Sequence, residues 1–185
     1  SPILFATMTA VFSSLITIYF TVGMNKKFVI ALLGVTGGVL IAGTFSYIFT
    51  YRMHLNGFLD SDLLASAYLL KNIKIKELIP AGVIIGSLGA VMDVAVSITS
   101  SINELHETNP NISKKSMFKS AINIGNDIIG TMINTLVLAY IASSIFTLLL
   151  IYIQANEYPL IRILNFQDIA VEIMRSICGS VGILI

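Results

Sequence analysis

Long stretches without a charged residue are the feature that most constrains this chain. They lie at 2–25, 28–51, 78–92 and 128–156. A helix needs about 20 apolar residues to cross about 30 Å of hydrocarbon. Hydrophobic residues make up 56% of the chain and charged residues 11%, against about 25% charged residues in a soluble domain. The sequence therefore predicts a membrane protein rather than a soluble globule.

The predicted fold class is an all-α, polytopic transmembrane helix bundle that forms one domain over residues 1–185. Five spans are expected, near 2–24, 28–51, 79–103, 128–153 and 168–185. The fifth is predicted to be incomplete, because the residues after Arg175 reach only partway across a bilayer at about 1.5 Å per residue.

Two interfacial amphipathic helices are predicted between the spans. The first begins at Asp60 or Ser61, and its leucines recur at helical spacing as far as Leu70. The second begins at Ser113, with lysines on one side and Phe118 and Ile122 on the other. A basic amphipathic helix of this kind is typical of the headgroup region, so we expect it to lie flat there.

A stripe of small and polar residues follows one face of the third span. Its members are three or four positions apart and so share a helix face: Gly82, Gly86, Gly89, Asp93, Ser97, Ser100 and Glu104. Small residues let two helix backbones approach closely in lipid. We therefore predict helix packing for the three glycines, and also for Gly130 in the fourth span.

Asp93 is the acidic residue near the centre of the third span. An acid at that depth costs about 2.5–3.5 kcal/mol on insertion scales. Burial disfavours the ionised carboxylate and can bring proton exchange into the physiological range. Two interpretations remain open: Asp93 binds a proton or cation, or it is a neutral acid that only hydrogen-bonds its neighbours.

The fourth span opens with a second polar stripe, formed by Asn123, Asp127, Gly130 and Asn134, with Thr131 and Thr135 beside it. Hydrocarbon would leave these groups unpaired. We expect them to pair with the polar face of the third span, and Asn134 to reach Asp93. An interhelical hydrogen bond without a transport role is the alternative for Asn134, and a capping or solvated acid is the alternative for Asp127.

Two further features are interpreted as boundary features of the membrane. Glu172 and Arg175, three residues apart, are predicted to pair on a helix near the interface. Tyr140, Tyr152 and Tyr158 are assigned to the aromatic belt at the headgroups.

Composition and spacing exclude several classes of function. The net charge of +1 argues against nucleic acid as a partner. A single cysteine and two isolated histidines predict no metal site, and no cofactor is predicted. The chain is not predicted to be an enzyme. The weak exception, an intramembrane aspartyl protease using Asp93 and Asp127, would require Gly-x-Gly-Asp, whereas the chain offers Gly125-Asn126-Asp127.

Two segments carry a family resemblance. GSLGAVMDVAVSITSSINELHETNP, from Gly86 to Pro110, and INIGNDIIGTMINTLVLAYI, from Ile122 to Ile141, closely resemble the YibE/F-like family of bacterial membrane proteins. The resemblance is strong over the third and fourth spans and rests elsewhere on hydrophobic layout. It implies a multi-pass protein of the bacterial inner membrane and names no molecular activity.

A looser resemblance concerns the order of residue types. An intramembrane acid, a basic loop helix and a helix with an Asn/Thr-rich start look like the core of SecD/SecF and RND-type proton-driven proteins. That resemblance implies that Asp93 carries a proton with Asn134 or Thr131 as its polar partner. The chain departs from the pattern because it has no large domain between its spans.

Two functions are therefore expected from the sequence. The first is a proton- or cation-coupled transporter or energy-transducing module based on Asp93. The second is a non-catalytic assembly or scaffold module, whose polar and glycine stripes hold helices together. The expected partners are the lipid bilayer and a second copy of the chain or a related membrane subunit.

Overall fold

A computed structural model describes residues 1–55, 74–154, 159, 161–162 and 165–184. No strand occurs in these ranges, which confirms the predicted all-α class. The helices are α1 (Pro2–Val22), α2 (Lys26–Arg52), α3 (Leu78–Thr108), α4 (Lys114–Ser143), α5 (Ile145–Gln154) and α6 (Gln167–Leu184), with a short 3-10 turn at Ile75–Glu77.

Four helical segments are long and apolar enough to cross a membrane: Pro2–Val22, Lys27–Arg52, Ile75–Thr108 and Lys114–Ser143. The first three coincide with the first three predicted spans, although the third runs further, to Thr108. The chain is therefore a multi-pass membrane protein. Helix α6 begins at the predicted start of the fifth span.

The predicted interfacial helix at Ser113 is wrong as a separate element. The Ser113 hydroxyl accepts a hydrogen bond from the Ser116 backbone N–H at 3.2 Å and caps α4, which then continues to Ser143. No proline interrupts that stretch. The predicted span at 128–153 is instead divided at Ser144, where α4 ends and α5 begins. The other predicted interfacial helix, from Asp60, falls outside the described residues.

Helix α3 is the centre of the bundle. It packs against α1, α2, α4 and α6. Around it, α1 contacts α2, α2 contacts α6, and α6 contacts α4, whereas no comparable contact joins α4 to α1 within the described ranges. The four outer helices therefore form an incomplete ring, which leaves one side of α3 uncovered.

Close backbone approach holds α2 against its neighbours. A Cβ added at Gly38 would lie 2.6 Å from the carbonyl oxygen of Gly182 in α6, and one added at Gly43 would lie 2.7 Å from a side-chain carbon of Ile84 in α3. Without a hydrophobic driving force between helices in lipid, such small-residue contacts maximise van der Waals packing. The surrounding core is built from Ala6, Ala10, Val35, Val39, Leu88 and Val91.

Candidate functional site: polar strips and a buried ionic cluster

Asp93 lies near the middle of the Ile75–Thr108 segment, and its side chain is exposed on the bundle surface. Its neighbours Met92 and Val94 are buried in the core. Across the described residues, the Asp93 carboxylate has no hydrogen bond or ion pair. The acid therefore points out of the bundle. This exposure does not agree with the sequence-based alternative in which Asp93 is a neutral acid, buried and hydrogen-bonded to its neighbours.

The uncovered side of α3 explains this exposure. Gly89, one turn before Asp93, is also exposed. A Cβ added at Gly89 would meet no atom within 4 Å. Asp93 and Gly89 thus form a strip on α3 that faces the gap between α1 and α4.

The second strip runs along α4 and faces away from the bundle. The exposed residues of this strip are Asn123, Asp127, Gly130, Thr131 and Asn134. The opposite face of α4 carries Gly125, Leu136 and Tyr140, which are buried. We call the exposed residues of α3 and α4 the polar strips.

The two strips lie at similar levels along the antiparallel helices. A Cβ at Gly125 would touch Ile98 at 3.4 Å, and one at Gly86 would approach the Tyr140 hydroxyl at 2.8 Å. Asp93 lies between Gly86 and Ile98, so its level on α4 lies between Gly125 and Tyr140. Both polar strips therefore occupy the central part of the helix pair.

The expected hydrogen bonds between the two strips are absent from the described part of the chain, and that prediction is wrong. Neither Asn134 nor Thr131 reaches Asp93. The Thr131 hydroxyl donates instead to the Ile128 carbonyl, 2.8 Å away on its own helix. The reason is helical geometry. The polar residues share one face of α4, and the opposite, apolar face packs against α3, so the polar side chains point away from Asp93.

The glycines of the α3 stripe separate into two groups. Gly82 faces the Arg175 guanidinium of α6, and Gly86 faces Tyr140 of α4. These two lie at helix contacts. Gly89 and Gly130 have no neighbour within 4 Å of an added Cβ, so the described chain does not place them at a contact.

A cluster of polar side chains lies inside the bundle, near the ends of α4 and α6. Arg175 Nη1 donates to Glu172 Oε1 at 2.7 Å, and both side chains are 23% exposed. Tyr140 is only 9% exposed and packs among α3, α4 and α6. Its assignment to the aromatic belt is therefore wrong.

The sequence predicts that Glu172 and Arg175 are an interfacial pair, and it does not indicate that Tyr140 lies near them. The missed signal is the spacing of Arg175 and Gly179, four residues apart on α6. Gly179 gives Tyr140 room, because an added Cβ would lie 3.4 Å from its hydroxyl. We call Tyr140, Glu172 and Arg175 the ionic cluster.

No three His, Cys, Asp or Glu side chains come together as a metal-ligand set in the ranges described. The ionic cluster contains one carboxylate and one guanidinium, so it offers hydrogen-bond donors and acceptors rather than a set of metal ligands.

Comparison with known proteins identifies a family. No curated protein and no solved structure matches the chain significantly. The model of one family, described as YibE/F-like protein, matches residues 1–185. This match extends the resemblance from the third and fourth spans to the whole sequence. The chain belongs to the YibE/F-like protein family.

Proposed function

We propose that this chain is a membrane-embedded assembly module whose polar strips contact further membrane helices. The observation that carries the proposal is the outward direction of Asn123, Asp127, Thr131 and Asn134 on α4. These residues lie on one side of a segment that is long and apolar enough to cross a membrane.

Lipid tails offer no hydrogen-bonding partner to polar side chains on the outer face of α4. An unpaired polar group costs several kcal/mol in hydrocarbon, and ionisable side chains in membrane segments, such as Asp127, almost always face protein or a water-filled cavity. Only 11% of the most apolar window of α4 is buried within the bundle, against 39% for the Ile75–Thr108 segment. A second set of helices against α4 would remove this cost and cover its exposed face.

The test replaces polar residues of α4 by leucine and measures assembly in lipid nanodiscs or mild detergent. Asn134→Leu should shift the protein from a larger species to a smaller one on size exclusion with light scattering. Leu138→Ala is the matched control, because Leu138 is exposed one turn further along α4 and carries no polar group. If Asn134→Leu leaves assembly unchanged and raises the melting temperature, the strip on α4 faces lipid and the proposal is wrong.

A second candidate, proton or cation coupling, is favoured by the unpaired carboxylate of Asp93 beside the gap between α1 and α4. An additional helix over this gap would enclose the acid together with Gly89 and create a site where a proton or cation can exchange. Ionisable groups inside membrane segments commonly mark such pathways.

This candidate is tested by proton flux into proteoliposomes that carry a pH-sensitive dye. Asp93→Asn should abolish flux without lowering thermal stability, whereas Glu104→Gln, at the exposed end of the same helix, should retain it. Full flux in Asp93→Asn rules out this mechanism. Assembly that is lost in Asn134→Leu while Asp93→Asn has no effect would favour the assembly module alone.

A further inference from the structure

Three buried polar atoms have no protein partners in the region where α3, α4 and α6 pack together. They are Tyr140 Oη, Glu172 Oε2 and Arg175 Nε, and none has a hydrogen-bond partner among the described residues. An unsatisfied buried donor or acceptor costs about 1–3 kcal/mol. Such groups in native proteins are usually satisfied by ordered water when no side chain is available.

Consecutive turns of α3 lie against two of these side chains. An added Cβ at Gly82 would lie 3.6 Å from Arg175 Nη2, and one at Gly86 would lie 2.8 Å from Tyr140 Oη. Residues four apart on a helix face the same side, with Cβ positions about 5–6 Å apart. The two glycines therefore leave space on one side of α3, which Tyr140 approaches from α4 and Arg175 from α6.

The charge of this space selects its occupant. Glu172 and Arg175 form an ion pair at 2.7 Å, so their charges compensate each other and the hydroxyl of Tyr140 adds none. An additional anion would be repelled by Glu172 and an additional cation by Arg175. A small neutral molecule that both donates and accepts hydrogen bonds fits all three free atoms, because Nε donates, Oε2 accepts and Oη does either.

We propose that Tyr140, Glu172 and Arg175 form an internal hydration site beside α3, in which bound water connects the three side chains and thereby ties α6 to α4. A cavity of about 280 Å³ lies alongside, between α4 and α6, and Tyr140 and Glu172 line it together with mostly apolar residues such as Ile141 and Ile173. The site is independent of the polar strips and of the assembly proposed for them.

The first test is the thermal stability of Tyr140→Phe in nanodiscs. A hydroxyl bonded to water contributes to stability, so its removal should lower the melting temperature by several degrees. Tyr152→Phe is the control, because Tyr152 is exposed and should melt like wild type. A dry site predicts the opposite sign, since Tyr140→Phe would then remove an unsatisfied buried group. An unchanged or higher melting temperature overturns the proposal.

The second test measures coupling between the side chains. Tyr140→Phe and Arg175→Met are combined in a double-mutant cycle, in which water that bridges the two groups makes the loss in the double variant smaller than the sum of the single losses. Additive losses overturn the proposal, because they show that the two side chains do not share a bonded network.

The third test detects the water itself. Hydroxyl radicals generated in situ by X-ray radiolysis oxidise buried side chains that contact bound water. Tyr140 should be oxidised in the folded protein, and its oxidation should fall when Glu172→Leu and Arg175→Leu are introduced together to make the space apolar. If Tyr140→Phe lowers the melting temperature but Tyr140 in the wild-type protein resists oxidation, the hydroxyl makes a direct hydrogen bond to a side chain. That result also overturns the hydration site.

Discussion

Gly38 and Gly182 bring the backbones of α2 and α6 into direct contact. A Cβ on Gly38 would lie 2.6 Å from the Gly182 carbonyl oxygen, and a Cβ on Gly182 would lie 2.9 Å from the Gly38 carbonyl oxygen. A side chain at either position would therefore clash with the backbone of the other residue. Because the obstructing atoms belong to the backbone, rotation of a side chain cannot relieve the clash.

Gly38→Ala should destabilise the bundle for this reason, whereas Gly37→Ala should not. Overpacking of a close contact costs about 1–3 kcal/mol. A Cβ at Gly37 meets no atom within 4 Å, and alanine is favoured over glycine in a helix by up to about 1 kcal/mol. Thermal unfolding in nanodiscs compares the two adjacent variants. Equal melting temperatures would contradict the close contact between α2 and α6.

A similar comparison is available on α3. Gly86→Ala would place a methyl group 2.8 Å from Tyr140 Oη and 3.3 Å from its ring carbon Cε1, so the buried ring must shift. We expect a loss of about 1–2 kcal/mol, at the lower end of overpacking effects because a side chain can move more easily than a backbone. Gly89→Ala, one turn nearer Asp93, meets nothing within 4 Å and should keep the wild-type melting temperature. A larger loss in Gly89→Ala than in Gly86→Ala would contradict the assignment of the tighter packing contact to Gly86.

Two ion pairs should differ in their contributions to stability. Glu172→Gln leaves the half-buried Arg175 without its counter-charge and should cost about 2 kcal/mol, less than the roughly 3–5 kcal/mol found when a fully buried pair is broken. Glu107→Gln removes the pair with Lys27, whose atoms are 3.9 Å apart and whose carboxylate is 64% exposed. Such a pair contributes about 0–1 kcal/mol. Chemical denaturation of both variants measures the difference, and equal losses would contradict the interior location of Glu172.

Cys178 should react with maleimide only when the bundle opens. It is the one cysteine in the sequence and is 1% exposed, packed against Val171 and Met174. A membrane-permeant reagent should therefore label the folded protein slowly and the denatured protein at once. Asn111→Cys in a Cys178→Ala background, in the exposed connection between α3 and α4, provides the rapid control. Fast labelling of native Cys178 would show that α6 separates readily from α2 and α3.

The sequence correctly predicts the helices that coincide with long stretches without a charged residue, such as α1 and α2. Charges at Lys26, Lys27 and Arg52 limit α1 and α2, because no charged residue lies at 2–25 or 28–51. The prediction failed at Ser113, where a basic amphipathic segment and the following apolar span form one helix. Amphipathic periodicity shows which face of a helix is polar, but it does not show where one helix ends and the next begins. No proline between Lys114 and Ser143 marks such a boundary.

The polar residues of the candidate site could be identified from the sequence, but their directions could not. The spacing of Asn123, Asp127 and Asn134 correctly places them on one helix face. Whether that face meets α3 or points away depends on how the opposite face packs, and Gly125 and Leu136 determine this through contacts with residues distant in the sequence. The same limitation concealed Tyr140, whose burial requires Gly86 and Gly179 on two other helices.

The polar outer face of α4 also bears on how the chain enters the bilayer. Of the four candidate spans, α4 is the least apolar, and a lone helix carrying Asp127 and Asn134 would partition poorly from the translocation channel. The short connection from Asn109 to Ser113 lets α3 and α4 pair as a hairpin. Because α3 is the more apolar of the two, insertion of the pair is more favourable than insertion of α4 alone. Biosynthesis of this protein should therefore depend on delayed release of α4 until its neighbours are present.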